Sequence, residues 1–190
     1  GMDNISGKFL NEDAKVLALP LSQICNLSIK LSVFPNDCKL AKLKPLYKKG
    51  SRTDPKNYRP VSLLPIISKV IEKLIHEQVQ HYLDRENIIF KYQSGFRKNH
   101  STDTCLSNLT DKILTGFDQG FLTGLIAIDL QKAFDTIDHT ILLEKMVFFG
   151  FSNGVVSWFQ SYLADRSFII NLEDSFSNKG DITCGVPQGS

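Results

Sequence analysis

The chain has 190 residues, 42% apolar and 22% charged, with a net charge of +2. These values describe an ordinary globular protein, long enough for one domain with a real core or for one and a half smaller lobes. No apolar run approaches the ~18 residues a membrane span needs and nothing resembles a signal peptide, so the expectation is no membrane partner and a reduced, intracellular setting. Cys25, Cys38, Cys105 and Cys184 form no CxxC pair and sit near no histidine cluster, which argues against a zinc site and leaves free thiols as the expectation.

In chain order, residues 8–34 mix apolar and polar positions and predict one or two helices ending near Pro35. From Leu40 to Tyr47 the pattern is strand-like, "KKGSRTDPKN" (48–57) is a turn-rich basic loop, and "YRPVSLL" (58–64) is a returning strand. The net charge is bland but its distribution is not: Lys39 to Arg59 holds six lysines and two arginines against one aspartate. This is a candidate footprint for a polyanion, with a solvated lysine-rich surface as the competing reading.

Pro65 opens the clearest helix, where Ile67, Val70, Ile71, Leu74, Ile75, Val79 and Leu83 keep an apolar stripe at 3- and 4-residue spacing. A second helix follows "HST", with Leu106, Leu109, Ile113, Leu114 and Phe117 on one side and Gly120 closing it. The apolar run at 121–129 predicts a strand buried on both faces. Helices are expected at 140–149, stopped by Gly150, and at 152–164. "RSFIINL" and "DITCGV" then read as a short hairpin around "EDSFSNKG". The fold class is α+β, with a basic lobe first and an acid-bearing strand in the middle.

The stretch "LIAIDLQKAFDTIDH" (125–139) runs apolar residues into Asp129. A carboxylate at a strand exit suits a hard cation such as Mg²⁺, which takes oxygen ligands and few protein carboxylates; a strand-end aspartate capping the next turn is the simpler reading. Phe134 is positioned to pack against a nucleotide sugar, or against the core. Asp135 and Asp138 are weaker ligand candidates, and Asp138, before His139 and Thr140, better fits a helix cap. The closing "GVPQGS" (185–190) is a tight turn whose backbone can approach a ligand, with Gln188 offering both donor and acceptor. Arg59 on the returning strand has the fork geometry to clamp a triphosphate. In "QSGFRKNHST" (93–102), Arg97 and Lys98 adjoin Gly95, and helix-start amides near Ser101 and Thr102 can receive a phosphate.

Taken together, "NYRPVSLLPIISKVIEKLI", "QSGFRKNHST", "AIDLQKAFDTIDH" and "GVPQGS" resemble, in order and spacing, the reverse transcriptases of non-LTR (LINE-type) retrotransposons. "FPNDCKLAKLKPLYKKG" (34–50) is similar to their lead-in, and the resemblance covers about residues 20–190. It implies a right-hand polymerase, with fingers and an incomplete palm whose antiparallel sheet carries packed helices. It further implies RNA-templated DNA synthesis from dNTPs on a DNA primer, with Mg²⁺ or Mn²⁺.

By that resemblance Asp129 is the first metal-binding and catalytic aspartate, Phe134 the gate against ribonucleotides, and Arg59 with Lys56 the cations on the incoming triphosphate. Gln188 and Gly189 resemble the platform under the nascent pair; Gln93, Gly95, Phe96 and Arg97 resemble the motif near the template. The expected layout is a helical lead-in at 1–35, fingers at 36–120 and a partial palm at 121–190. The family's second acidic motif would follow "GVPQGS", beyond Ser190, so this polypeptide alone is expected not to polymerise and to self-associate through an exposed palm edge. Nuclear or cytoplasmic location is implied by the same analogy. Two alternatives stand beside it: a non-catalytic RNA- or DNA-binding remnant of such a polymerase, and a phosphohydrolase with an aspartate nucleophile, disfavoured because residue 131 is Gln where a second Asp is wanted.

Overall fold

The computed structural model describes residues 3, 5–130, 132–172 and 175–187. The chain divides into two compact units, one built from residues 1–78 and 132–190, the other from residues 79–131.

The first unit begins with helices α1 (Gly7–Glu12) and α2 (Ala14–Leu31). Helix α2 tolerates Pro20 in its interior, where one backbone hydrogen bond is forfeited. It ends at Ser32, in the left-handed region with φ 54°, and the Val33 amide turns back to the Ser28 carbonyl at 3.0 Å. Strand β1 (Leu40–Tyr47) and strand β2 (Tyr58–Leu63) form the expected antiparallel hairpin, in a register that sets Leu46 opposite Arg59. Helix α3 (Ile66–Arg85) follows, and helix α4 (Thr102–Asp118) belongs to the second unit. The chain then returns to the first unit with α5 (His139–Phe148) and α6 (Asn153–Leu163), separated by Gly150, whose φ of +81° supplies the helix-ending turn that a side chain would resist. Strands β3 (Arg166–Leu172), β4 (Ser175–Phe176) and β5 (Gly180–Ile182) close the unit.

One sheet in the order β2-β1-β3-β4 results, with β5 paired to β3. Strand β3 is antiparallel to β4 and β5, as the hairpin reading expects, but it joins β1 in parallel, with Leu40 opposite Ser167 and Leu43 opposite Ile170. That parallel pairing links segments at opposite ends of the sequence, and no local pattern announces it.

The core of this unit is aromatic. Phe34 is 0% exposed and lies with Cys25, Cys38, Ile71 and Trp158 in one cluster, lined by Ile67, Ile75, Phe159 and Tyr162. Phe34 meets Trp158 and Tyr162 edge-on at 5.5 and 4.9 Å, while Trp158 and Tyr162 stack within 7° of parallel. Such pairs add about 0.5–1.5 kcal/mol each beyond the area they bury. All four cysteines are free, and burial pushes the Cys38 thiol up to about 11, so it packs as an apolar group.

A polar cluster borders this core. Arg166 is 2% exposed, donates from Nη1 to the Tyr162 carbonyl at 2.8 Å, and lies 4.5 Å from the Tyr162 ring centroid. The Ser68 hydroxyl donates to Glu72 Oε1 at 2.8 Å. Burial raises the Glu72 carboxyl, against the lowering pull of the Ser68 bond and the Arg166 charge. Glu72 Oε2 and Arg166 Nη2 are buried with no hydrogen-bond partner among the described residues.

The second unit holds the last turns of α3 together with α4. A capping box starts α4: the Ser101 hydroxyl accepts from the Thr104 amide at 3.2 Å, and the Thr104 hydroxyl accepts from the Ser101 amide at 2.9 Å. Gly120 ends the helix as expected, its amide on the Phe117 carbonyl.

Residues 121–130 overturn one expectation. They form no strand, and their apolar side chains face outward, with Leu122 99% and Ile126 86% exposed. A strand exists only where a neighbour accepts and donates its backbone hydrogen bonds, and among the described residues none pairs with this segment. Its apolar run marks the composition of a buried strand without the partner that would make one. Among the described residues, no helix is long and apolar enough to cross a membrane.

Candidate functional site

Phe134 and the start of the closing turn are brought together within the first unit. The Val186 amide donates to the Phe134 carbonyl at 2.9 Å, and the Gly185 amide donates to the Ile137 carbonyl at 2.8 Å. Cys184 Sγ reaches the Asp135 carbonyl at 3.4 Å. A side chain cannot be fitted at residue 185. A Cβ there would lie 2.7 Å from the Phe134 carbonyl oxygen and 2.8 Å from the Asp135 Cα, and Gly185 has φ +77°. The close backbone approach expected of this turn is therefore made first against the chain itself, at the segment carrying Phe134.

The neighbouring residues are fixed from the helix side. Asp138 is the N-cap of α5, its carboxylate accepting from the Ile141 amide at 3.0 Å, which is the capping role its sequence position implied. His139 opens α5, and its Nε2 lies 2.7 Å from the Gly185 carbonyl oxygen. No local sequence signal marks this contact of His139. The residue stands inside the "FDTIDH" motif, but its partner is 46 residues away. The Phe134 side chain is 43% exposed, so it is not a core residue. Gln188 and Gly189 lie outside the described residues.

The basic hairpin is rigid at its tip. Tyr47 OH donates to the Gly50 carbonyl at 2.6 Å, Tyr58 OH to the Arg52 carbonyl at 2.8 Å, and Asn57 Nδ2 to the Ser51 carbonyl at 2.9 Å. Asp54, the one acid here, accepts from the Lys56 amide at 2.9 Å as a cap. Lys44, Lys48, Lys49, Arg52, Lys56 and Arg59 are exposed, and among the described residues none forms an ion pair. Lys39, counted in the sequence as part of this patch, is buried and does not present its ammonium to a bound anion. A tip held by its own tyrosines and asparagine, with cations left over, can hold an anion without first becoming ordered.

In the second unit, Gln93 Nε2 donates to the Gly95 carbonyl at 3.1 Å, closing a tight turn. Phe96 follows with φ 58° and 85% exposure, and Arg97 is half-buried. At the start of α4 the Ser101 hydroxyl already occupies the Thr104 amide, and Asp103 places a negative charge in the first turn. The helix start is therefore a poorer phosphate receptor than its sequence suggested.

Asp129 lies in the irregular 121–130 segment with an exposed side chain, not buried in hydrocarbon. Among the described residues no group of three or more His, Cys, Asp or Glu side chains is arranged to hold a metal ion. A single exposed carboxylate fits one position in a Mg²⁺ shell, because that ion takes one or two protein carboxylates and completes its shell with water and substrate phosphates.

The mixed α/β chain thus carries on its hairpin exposed cations that form no ion pair among the described residues. Its family is defined by sequence. The profile described as "Reverse transcriptase (RNA-dependent DNA polymerase)" matches residues 46–190, and the chain belongs to that family. The "Probable RNA-directed DNA polymerase from transposon BS" of Drosophila melanogaster is 34% identical over 193 residues, covering 100% of this chain and 21% of that protein. The "Probable RNA-directed DNA polymerase from transposon X-element" of the same species is 31% identical over 197 residues, covering 100% of this chain and 21% of that protein. The "RNA-directed DNA polymerase from mobile element jockey", also of Drosophila melanogaster, is 32% identical over 191 residues, covering 100% of this chain and 20% of that protein. The chain spans about a fifth of the length of these curated relatives.

Proposed function

We propose that the chain is the fingers and part of the palm of a LINE-type reverse transcriptase, and that the complete protein copies an RNA template onto a DNA primer from dNTPs. The layout is a lead-in at 1–35, fingers at 36–120 and palm at 121–190. The observation that carries the reading is the bonding of the Phe134 segment to the Gly185 turn, in a chain of this family. It supports a site in which a half-exposed aromatic and a small-residue turn face the same nucleotide.

In this reading Arg59 and Lys56 neutralise the incoming triphosphate, Phe134 excludes a 2′-hydroxyl, and Gln188 and Gly189 lie under the nascent pair. Gln93, Gly95, Phe96 and Arg97 contact the template strand. Asp129 contributes one carboxylate to Mg²⁺, or to Mn²⁺ in its place. When bound, such a cation stabilises charge on the phosphoryl oxygens during in-line displacement. Among the described residues no other acidic side chains gather with Asp129 to hold a metal ion, and one carboxylate binds such a cation weakly, so weak extension is the expectation for these residues assayed alone.

Primer extension by the complete protein tests the reading. The expected result is RNA-dependent incorporation of dNTPs that Asp129→Asn abolishes; incorporation that survives Asp129→Asn unchanged rejects it. A second reading, nucleic-acid binding without catalysis, is favoured by the unpaired hairpin cations and holds if the complete wild-type protein binds RNA and incorporates nothing.

A further inference from the structure

We infer that His139 is a positioning residue for nucleotide selection: its imidazole holds the Gly185 carbonyl, and through it the closing turn, against the segment that carries Phe134. The inference rests on the proposed polymerase reading.

Besides the Cys184 contact, the described bonds between the two segments include three from or to Gly185 and Val186. Two of them, Gly185 N to Ile137 O and Val186 N to Phe134 O, run between backbones and survive most side-chain changes. The third, at 2.7 Å from His139 Nε2 to Gly185 O, depends on one side chain. A carbonyl oxygen only accepts, so the proton must sit on Nε2, in the neutral tautomer or in the imidazolium alike. The Nε2 lone pair is then unavailable, which removes His139 from general-base duty at that nitrogen and leaves it a structural donor.

Its support is rigid. His139 is the first residue of α5, and the Asp138 cap fixes that helix start. The acceptor is equally constrained, because Gly185 has no room to shift toward Phe134 and Asp135. Gly185 therefore carries three ties, through its amide, its carbonyl and its bare Cα, and the next residue's amide carries a fourth. A turn fixed this tightly at Gly185 and Val186 is held in one position relative to the segment that carries Phe134. Small displacements of a group that positions a reacting substrate cost rate steeply, and the His139 bond resists them at Gly185.

The test compares His139→Leu, which removes the donor at similar bulk, with His139→Gln, whose amide nitrogen reaches the same place. Amide exchange at Gly185 and Val186 is measured together with steady-state incorporation of dNTPs and rNTPs by the complete protein. The expected result for His139→Leu is faster exchange at both amides, a KM for dNTP raised about tenfold with a smaller change in kcat, and weaker discrimination against rNTPs. His139→Gln is expected to restore most of all three. A His139→Leu enzyme with altered melting but unchanged KM and discrimination makes the residue merely structural and overturns the inference alone. Exchange at Gly185 and Val186 that matches wild type overturns it too. A complete wild-type protein that incorporates no nucleotide overturns the polymerase reading, and this inference with it.

Discussion

The indole Nε1 of Trp158 donates to the hydroxyl of Ser28 at 2.9 Å, and the same hydroxyl donates to the Val33 carbonyl at 2.6 Å. One buried oxygen thus ties α6 to the C-terminal turn of α2 and sets the entry of Phe34 into the core. Ser28→Ala leaves the buried indole N–H without an acceptor and is expected to cost about 1–3 kcal/mol of unfolding free energy. Chemical denaturation measures it; a variant as stable as wild type would show that the bond contributes nothing.

Glu72 makes stability depend on pH in a stated direction. Burial raises its native carboxyl above the ordinary value of 4.5, so the folded chain binds this proton more readily than the unfolded one. Its contribution is therefore fully present below the ordinary carboxyl value and is lost as pH rises through the raised native value. Relative to Glu72→Gln, the wild type should lose stability over that window as pH increases. Paired denaturation curves across the window check it, and a difference that stays flat or grows with pH contradicts it.

Glycine 185 is predicted to be irreplaceable, and glycine 95 is not. Gly185→Ala puts a methyl group on the Phe134 and Asp135 backbone in a left-handed conformation and is expected to cost about 1–3 kcal/mol or more. At Gly95 a Cβ meets nothing within 4 Å, so Gly95→Ala should stay within about 0.5 kcal/mol of wild type. Melting of both variants decides; equal effects would reject the account of the turn.

The exposed hairpin cations should give binding its salt dependence. Neutralising Lys48, Arg52 and Arg59 together to Gln is expected to weaken RNA binding. It should also lower the slope of log affinity against log salt by about 0.7–0.9 for each phosphate that these side chains had neutralised. Filter binding over a salt series reads the slope. An unchanged slope would place the nucleic acid elsewhere. Lys39→Gln is the internal control: it is buried, so its removal should leave the slope alone.

Much of the fold was legible in the sequence because its signals are local. The β1–β2 hairpin followed from two strand-like runs around a glycine- and proline-bearing loop, and the helix ends followed from Gly120, Gly150 and the Asp138 cap. What was not legible depends on distant partners. The apolar run at 121–129 has the composition of a buried strand, but composition cannot supply a neighbour, and residues 121–130 are irregular and exposed. The parallel pairing of β1 with β3 joins opposite ends of the chain. Lys39 counts as a cation in any tally, yet only its burial reveals that it is spent inside. In the site, Phe134 and the Gly185 turn were each recognisable as motifs, whereas their bonding and the part His139 plays in it appear only when the chain is folded.

The central claim is that Phe134, held beside the Gly185 turn, faces the sugar of an incoming nucleotide. The most direct measurement is the ratio of dNTP to rNTP incorporation by the complete protein, wild type against Phe134→Val. The account predicts that the wild type strongly favours dNTPs and that the smaller side chain lowers the ratio by about tenfold or more, with dNTP incorporation largely kept. A Phe134→Val enzyme that incorporates dNTPs and rejects ribonucleotides as well as wild type does would contradict it.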